Sequence, residues 1–95
     1  MNTYISLIRF TEQGARALNK STARAAAFQI AAEKSGVKVE AQYWTVGAYD
    51  GVLILSADDE KKALRCLTEL AASGNVRTET MPAFDANEFS AITSK

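Results

Sequence analysis

An α+β fold of ferredoxin-like βαββαβ topology is predicted by three features of the chain. These are the order of its periodic segments, the glycines and proline that punctuate them, and the uneven share of apolar residues among the strands. The order reads strand, helix, strand, strand, helix, strand. Right-handed crossovers then place both helices on one face of a four-stranded antiparallel sheet. Strands one and three, the most apolar, are expected in the middle and the more polar strands two and four at the edges.

Tyr4 to Phe10 is β-rich and mostly apolar, and Thr11-Glu12-Gln13-Gly14 breaks it. Ala15 to Leu18 is expected to form a helical turn, with Asn19 or Ser21 capping the next helix over Thr22 to Lys34. The spacing of Ala23, Ala27, Ile30 and Ala31 predicts the buried face of that helix, with Phe28 beside it. Gly36 stands where a left-handed C-terminal cap belongs. Val37 to Val46 reads as the second strand, with Lys38, Glu40 and Gln42 alternating against Val39, Ala41 and Tyr43. A turn over Gly47 to Gly51 leads into the apolar strand Val52 to Leu55. Asp58 or Asp59 caps the second helix, whose Ala63, Cys66, Leu67, Leu70 and Ala71 follow helical spacing until Gly74. Val76 to Met81 is the fourth strand, which Pro82 ends, and Asp85 to Ile92 is read as a short terminal helix.

Ninety-five residues, 47% apolar and 23% charged, suit one domain over 1–95. Such a domain buries only about 60–65% of its unfolded surface, so self-association would add needed burial. Eleven basic residues balance eleven acidic ones, and Lys61-Lys62 is the one adjacent basic pair. That balance argues against nucleic acid and against an anionic membrane surface as partners. A single cysteine, Cys66, excludes an intramolecular disulfide. The first residues have neither a basic region nor an apolar stretch of signal-peptide length, and no run reaches a membrane span, so the cytoplasm is expected. With no histidine, Ser-His-Asp and Cys-His catalysis and most zinc sites are excluded, and no metal or cofactor is expected.

The sheet is predicted to need a second copy. Two helices cover one face, and an antiparallel sheet facing water on the other should alternate apolar with polar. The central strands do not: Ile5 and Leu7 oppose Tyr4, Ile8 and Phe10, and Val52 and Ile54 oppose Leu53 and Leu55. Either face left open would carry four or five large apolar side chains, each worth about 1.5–3 kcal/mol when buried. A two-fold homodimer would cover them. The alternative is that the C-terminal segment, with Phe84, Phe89 and Ile92, folds back over that face.

Gly47-Ala48-Tyr49-Asp50, preceded by Tyr43-Trp44-Thr45-Val46, resembles the turn that names the GYD family. Tyr4-Ile5-Ser6-Leu7 through Thr11-Glu12-Gln13-Gly14, and Gly74-Asn75-Val76-Arg77-Thr78-Glu79-Thr80, carry the likeness across most of the chain. The resemblance implies a dimeric α+β barrel and no particular reaction. Ala48 departs from it, standing where such turns often carry a charge. The wider barrel superfamily spans cofactor-free oxygenases, isomerases, haem-handling enzymes and binding proteins, so fold alone assigns no activity.

Five residues are candidate ligand contacts: Arg9, Trp44, Tyr49, Asp50 and Arg77. Tyr49 and Asp50 would offer a phenol and a carboxylate from one turn, although Asp50 accepting N–H bonds within the turn is the structural alternative. Tyr43 and Trp44 face opposite sides of their strand, one toward the helices and one toward an interface. Arg9 interrupts a central strand and calls for an anion, with Glu12, Asp50 and Glu79 as candidate partners. Arg77 and Glu79 share one face of strand four. Cys66 is read as a buried, inert thiol. No catalytic residue is assigned. Two readings remain: a non-catalytic homo-oligomer that binds a small molecule or a protein, and a cofactor-free enzyme acting on a small organic substrate. A closed apolar cavity above about 300 Å3, with Tyr49, Asp50 or Arg9 converging on it, would favour the enzyme.

Overall fold

The structure, a computed structural model, describes residues 1–94. Its elements run β1 (Asn2–Phe10), α1 (Glu12–Ala15), a 3-10 turn (Leu18–Lys20), α2 (Ser21–Lys34), β2 (Val37–Trp44), β3 (Gly51–Ala57), α3 (Glu60–Ala72), β4 (Val76–Ala83) and α4 (Ala86–Thr93). All pairings are antiparallel and the sheet order is β2-β3-β1-β4, with the two apolar strands central as their composition predicts. The fold is the expected α+β, ferredoxin-like arrangement.

Helices α2 and α3 cover one face. Tyr4, Leu53, Leu55 and Ala57 from the central strands, Val37 and Val39 from β2, and Ala63, Cys66 and Leu67 from α3 form the buried core. Ser6 sits in the middle of β1, fully buried, where its hydroxyl bonds that of Thr80 on β4 at 2.9 Å. Asp59 caps α3 by accepting the Lys61 N–H at 2.9 Å.

Three local expectations are corrected. Strand β2 ends at Trp44 and does not alternate evenly: a bulge between Val39 and Ala41 inserts Glu40 and reverses the phase. Val37 and Val39 face the helices before the bulge, and Gln42 and Trp44 after it. Helix α2 buries Ser21 and Ala32, with Phe28 packed on the core, whereas Ile30 is 58% exposed. In an alanine-rich helix apolar spacing favours no face, so the one large ring, Phe28, sets the rotation. Strand β4 continues through Pro82 to Ala83, because a strand at the sheet edge tolerates a residue without an N–H donor.

Two smaller corrections concern helix starts. The helical turn after β1 is α1, capped by Thr11, rather than Ala15 to Leu18. Neither Asn19 nor Ser21 caps α2: Lys20 occupies the cap position without a side-chain bond. The terminal helix α4 forms as expected, closed by reciprocal bonds between Asp85 and Glu88 at 2.8 and 3.0 Å.

The C-terminal segment does not fold back over the sheet. Phe84, Phe89 and Ile92 are more than half exposed. With α4 held off the body, the Cα radius of gyration is 14.1 Å, against about 12 Å for a compact chain of this length.

Candidate functional site

The sheet separates the candidate residues into two groups. On the face away from the helices lie Ile5 and Leu7 of β1 and Val52 and Ile54 of β3, joined by Ala41 and Tyr43 of β2 and by Met81 of β4. Tyr43 and Met81 are exposed there, and the four central side chains are half-buried only by one another and the sheet. Arg9, Tyr49, Arg77 and Glu79 stand at one end of this open face. The Arg9 guanidinium lies over the Tyr49 ring, 4.7 Å from its centroid, and the Tyr49 hydroxyl donates to Glu79 at 2.8 Å. Arg9 forms no ion pair with Glu12, Asp50 or Glu79: Glu12 pairs with Arg16 instead. The expected salt bridge is thus replaced within the protomer by cation–π stacking. Arg77 is the cross-strand neighbour of Arg9, which sets two like charges opposite each other at the edge of the apolar face.

The turn motif fastens strands together. Gly47 has φ +150°, a conformation that favours glycine. The Asp50 N–H donates to the Ile8 carbonyl at 2.8 Å, and the Asp50 carboxylate accepts the Phe10 N–H at 2.8 Å. Asp50 therefore receives its backbone bond from the end of β1, and not from within its own turn. The Thr45 hydroxyl closes the turn by donating to the Tyr49 carbonyl at 2.6 Å. Replacing Asp50 with alanine is expected to lower unfolding free energy by about 2 kcal/mol, the worth of a hydrogen bond to a charged group. Urea denaturation checks this, and an unchanged midpoint would contradict it.

On the helix side lies a cavity of about 440 Å3 between α2, α3 and the sheet. Its floor includes Ile8, Phe10, Gln42 and Leu53, and its walls include Phe28 of α2 and Leu70 of α3. The cavity follows from the alanines of α2, whose short side chains leave the space between helix and sheet unfilled. Trp44 and Asp50 reach it. Tyr49, Arg9 and Arg77 do not, being on the opposite face, so the five predicted contacts form no single site. Trp44 donates its indole N–H to the Ser21 hydroxyl at 2.9 Å, and Tyr43 faces the open side, as their adjacency on one strand requires.

Ser21, Arg24 and Gln42 were missed as site residues by sequence reasoning. Arg24 lines the cavity and is held by carbonyls of the preceding segment, Ala17 at 2.9 Å and Gly14 at 3.5 Å. The one available signal was an arginine breaking an alanine run. Cys66 also borders the cavity. Burial, and to a lesser degree the Glu69 carboxylate, push its thiol above the ordinary value of 9.0. The folded chain thus holds this proton more tightly than the unfolded chain. The resulting stability is fully present below pH 9.0 and is lost as pH rises through the folded value. Stability measured against pH is expected to fall less steeply above pH 9.0 in Cys66→Ala than in the native chain, and parallel curves would contradict this.

Among the described residues, no group of three or more His, Cys, Asp or Glu is placed to hold a metal ion, and no helix is long and apolar enough to cross a membrane. Comparison with known proteins agrees with this architecture. A Thermus thermophilus protein named glutamine synthetase and cystathionine beta-lyase binding protein is 37% identical over 84 residues, spanning 87% of this chain and 88% of the relative. The crystal structure of TTHA0845 from Thermus thermophilus superposes with a TM-score of 0.56 at 28% identity, covering 90% of this chain and 96% of that one. The crystal structure of FFRP-DM1 shares the fold, with a TM-score of 0.64 at 21% identity over 88% of this chain and 100% of the other. The GYD domain profile matches residues 4–93, nearly the whole sequence, and the chain belongs to the GYD domain family.

Proposed function

We propose that the chain is a cytoplasmic, homodimeric binding protein that docks on metabolic enzymes, and that it performs no reaction of its own. The observation that carries this reading is the pair of apolar surfaces the protomer leaves uncovered: the open sheet face and the outer helix α4. Ile5, Leu7, Val52 and Ile54 form the first surface, which a second copy can cover about a two-fold axis. Phe84, two residues before α4, with Phe89 and Ile92 on it, forms the second, 55%, 59% and 60% exposed. Soluble monomers seldom expose contiguous apolar patches of this kind.

The two surfaces take different occupants in this reading. A second copy covers the sheet, and Arg9 and Arg77 at its edge meet carboxylates of that copy. Helix α4 presents its aromatic and aliphatic side chains to an enzyme partner. The named role of the Thermus thermophilus relative supports the choice of partner, since that protein is named for binding glutamine synthetase and cystathionine beta-lyase. Tyr49, a candidate ligand contact, is engaged with Glu79 and Arg9, which favours a packing role over a catalytic one.

Surface plasmon resonance of the full chain against purified glutamine synthetase and cystathionine β-lyase from its own host is the test. Saturable binding to at least one enzyme is expected. The double substitution Phe89→Ser with Ile92→Ser is expected to weaken that binding at least about tenfold, as for anchors in an interface, while the dimer mass stays unchanged. Binding to neither enzyme, or equal binding by the double variant, would overturn the reading.

A further inference from the structure

We infer that the cavity between α2, α3 and the sheet is a binding site for a small, largely apolar organic anion, with Arg24 and Ser21 holding its carboxylate. This goes beyond docking on enzymes and does not depend on it. The cavity, at about 440 Å3, lies within the range of small-molecule sites, and its floor and walls are mostly aliphatic and aromatic.

The sign of the ligand's charge follows from the ionised groups on the wall: Arg24, Asp50 and Glu69. Glu69 pairs with Arg65 at 3.6 Å on the outside of α3. Asp50, without an ion pair among the described residues, has its carboxylate tied to the Phe10 N–H at 2.8 Å as the clasp between the turn and β1. Arg24 has no carboxylate partner among the described residues. Two neutral backbone carbonyls hold its guanidinium in place without neutralising it, and they leave further N–H groups for a ligand.

Ser21 supplies the second donor. It is 9% exposed, and its oxygen accepts the Trp44 indole N–H at 2.9 Å, which leaves its own hydrogen to donate. Ser21 and Arg24 are three residues apart on α2, so both project from one side of the helix, and both line the cavity. An arginine and a hydroxyl side by side on the wall of a mostly apolar cavity select a molecule with a carboxylate at one end and a ring or alkyl body behind it. Charged hydrogen bonds of this kind favour the anion over its neutral isostere, because the neutral analogue leaves the guanidinium without a counter-charge.

The probe is 2-naphthylacetate, with 2-naphthylethanol as its neutral analogue, titrated into the full chain and followed by 15N chemical shifts. The carboxylate is expected to bind at least about tenfold more tightly than the alcohol, the worth of one charge-assisted hydrogen bond. The largest shifts are expected at the Trp44 indole and the Gln42 side-chain amide. Arg24→Gln is expected to bind both probes alike, and Arg24→Lys to keep the preference for the anion. Ala25→Phe, which fills the chamber, is expected to abolish both. Equal affinity for the two probes in the native chain, a preference surviving Arg24→Gln, or shifts centred on Ile5 and Ile54 of the open face would overturn the inference. Should Arg24→Gln unfold, as its 15N spectrum would show, the comparison of the two probes in the native chain and in Ala25→Phe still decides it.

Discussion

Replacing Ile54 with lysine is expected to convert the proposed homodimer to a folded monomer. Ile54 lies between Ile5 of β1 and Ala41 of β2, on the open face and away from the core under the helices. The protomer therefore has little reason to unfold when this side chain becomes polar. The dimer has good reason to separate, because a two-fold interface buries the residue twice and one substitution is felt at both places. Losing two buried isoleucines removes about 4 kcal/mol, and lysines trapped without partners add to this. The dissociation constant should rise by roughly a thousandfold or more. Analytical ultracentrifugation of the variant checks the result alongside circular dichroism. A dimer of native mass in Ile54→Lys would contradict the assignment of this face.

The second large effect is expected at Gly14. A Cβ placed there would stand 2.0 Å from the Asn75 carbonyl oxygen and 2.9 Å from its carbon. Both are backbone atoms, so no side chain can turn aside to relieve the contact. The approach is close because α1 is fastened to the start of β4 by a short network of bonds. The Thr11 N–H donates to the Asn75 carbonyl at 3.1 Å, the Thr11 hydroxyl to the Gly74 carbonyl at 2.6 Å, and the Gly14 N–H to the Thr11 hydroxyl at 3.1 Å. Gly14→Ala must separate α1 from β4 and break some of these bonds. A loss of about 2–4 kcal/mol is expected, in the range of overpacking and broken hydrogen-bond networks. For a chain of this length that corresponds to a fall of roughly 10–25 °C in Tm. Calorimetry measures it directly, and a change below about 1 kcal/mol, the ordinary size of a point substitution, would show that the segment yields without cost.

Much of the fold was legible in the sequence because its signals were local and strong. Strands β1 and β3 were set by runs of large apolar residues, α3 by clear helical spacing under an aspartate cap, and the central position of β1 and β3 by comparing apolar content between strands. The division of Tyr43 from Trp44 needed only the two-residue period of a strand. What stayed hidden depended on tertiary packing. The bulge at Glu40 leaves no mark in composition, yet it decides that Gln42 and Trp44 face the helices. The rotation of α2 could not be read from alanines that look alike on every side.

The candidate site was less legible than the fold. Tyr49 and Asp50 are adjacent in sequence, and the turn sends one over Arg9 on the open face and the other to the cavity side of β1. Arg24 drew no notice because its setting, a 440 Å3 chamber, exists only after α2 has packed with its short side chains toward the sheet. A charge in a helix gains meaning from what surrounds it in space, and the residues concerned, Ser21, Gln42 and Leu70, come from three separate elements.

If the uncovered sheet face is an interface between two copies, the native chain must pair in solution. Size-exclusion chromatography with multi-angle light scattering at micromolar concentration tests this most directly. A mass of twice the 10.3 kDa chain, or an even multiple of it, is the predicted result. A single 10.3 kDa species, folded and stable over the same concentrations, would contradict it.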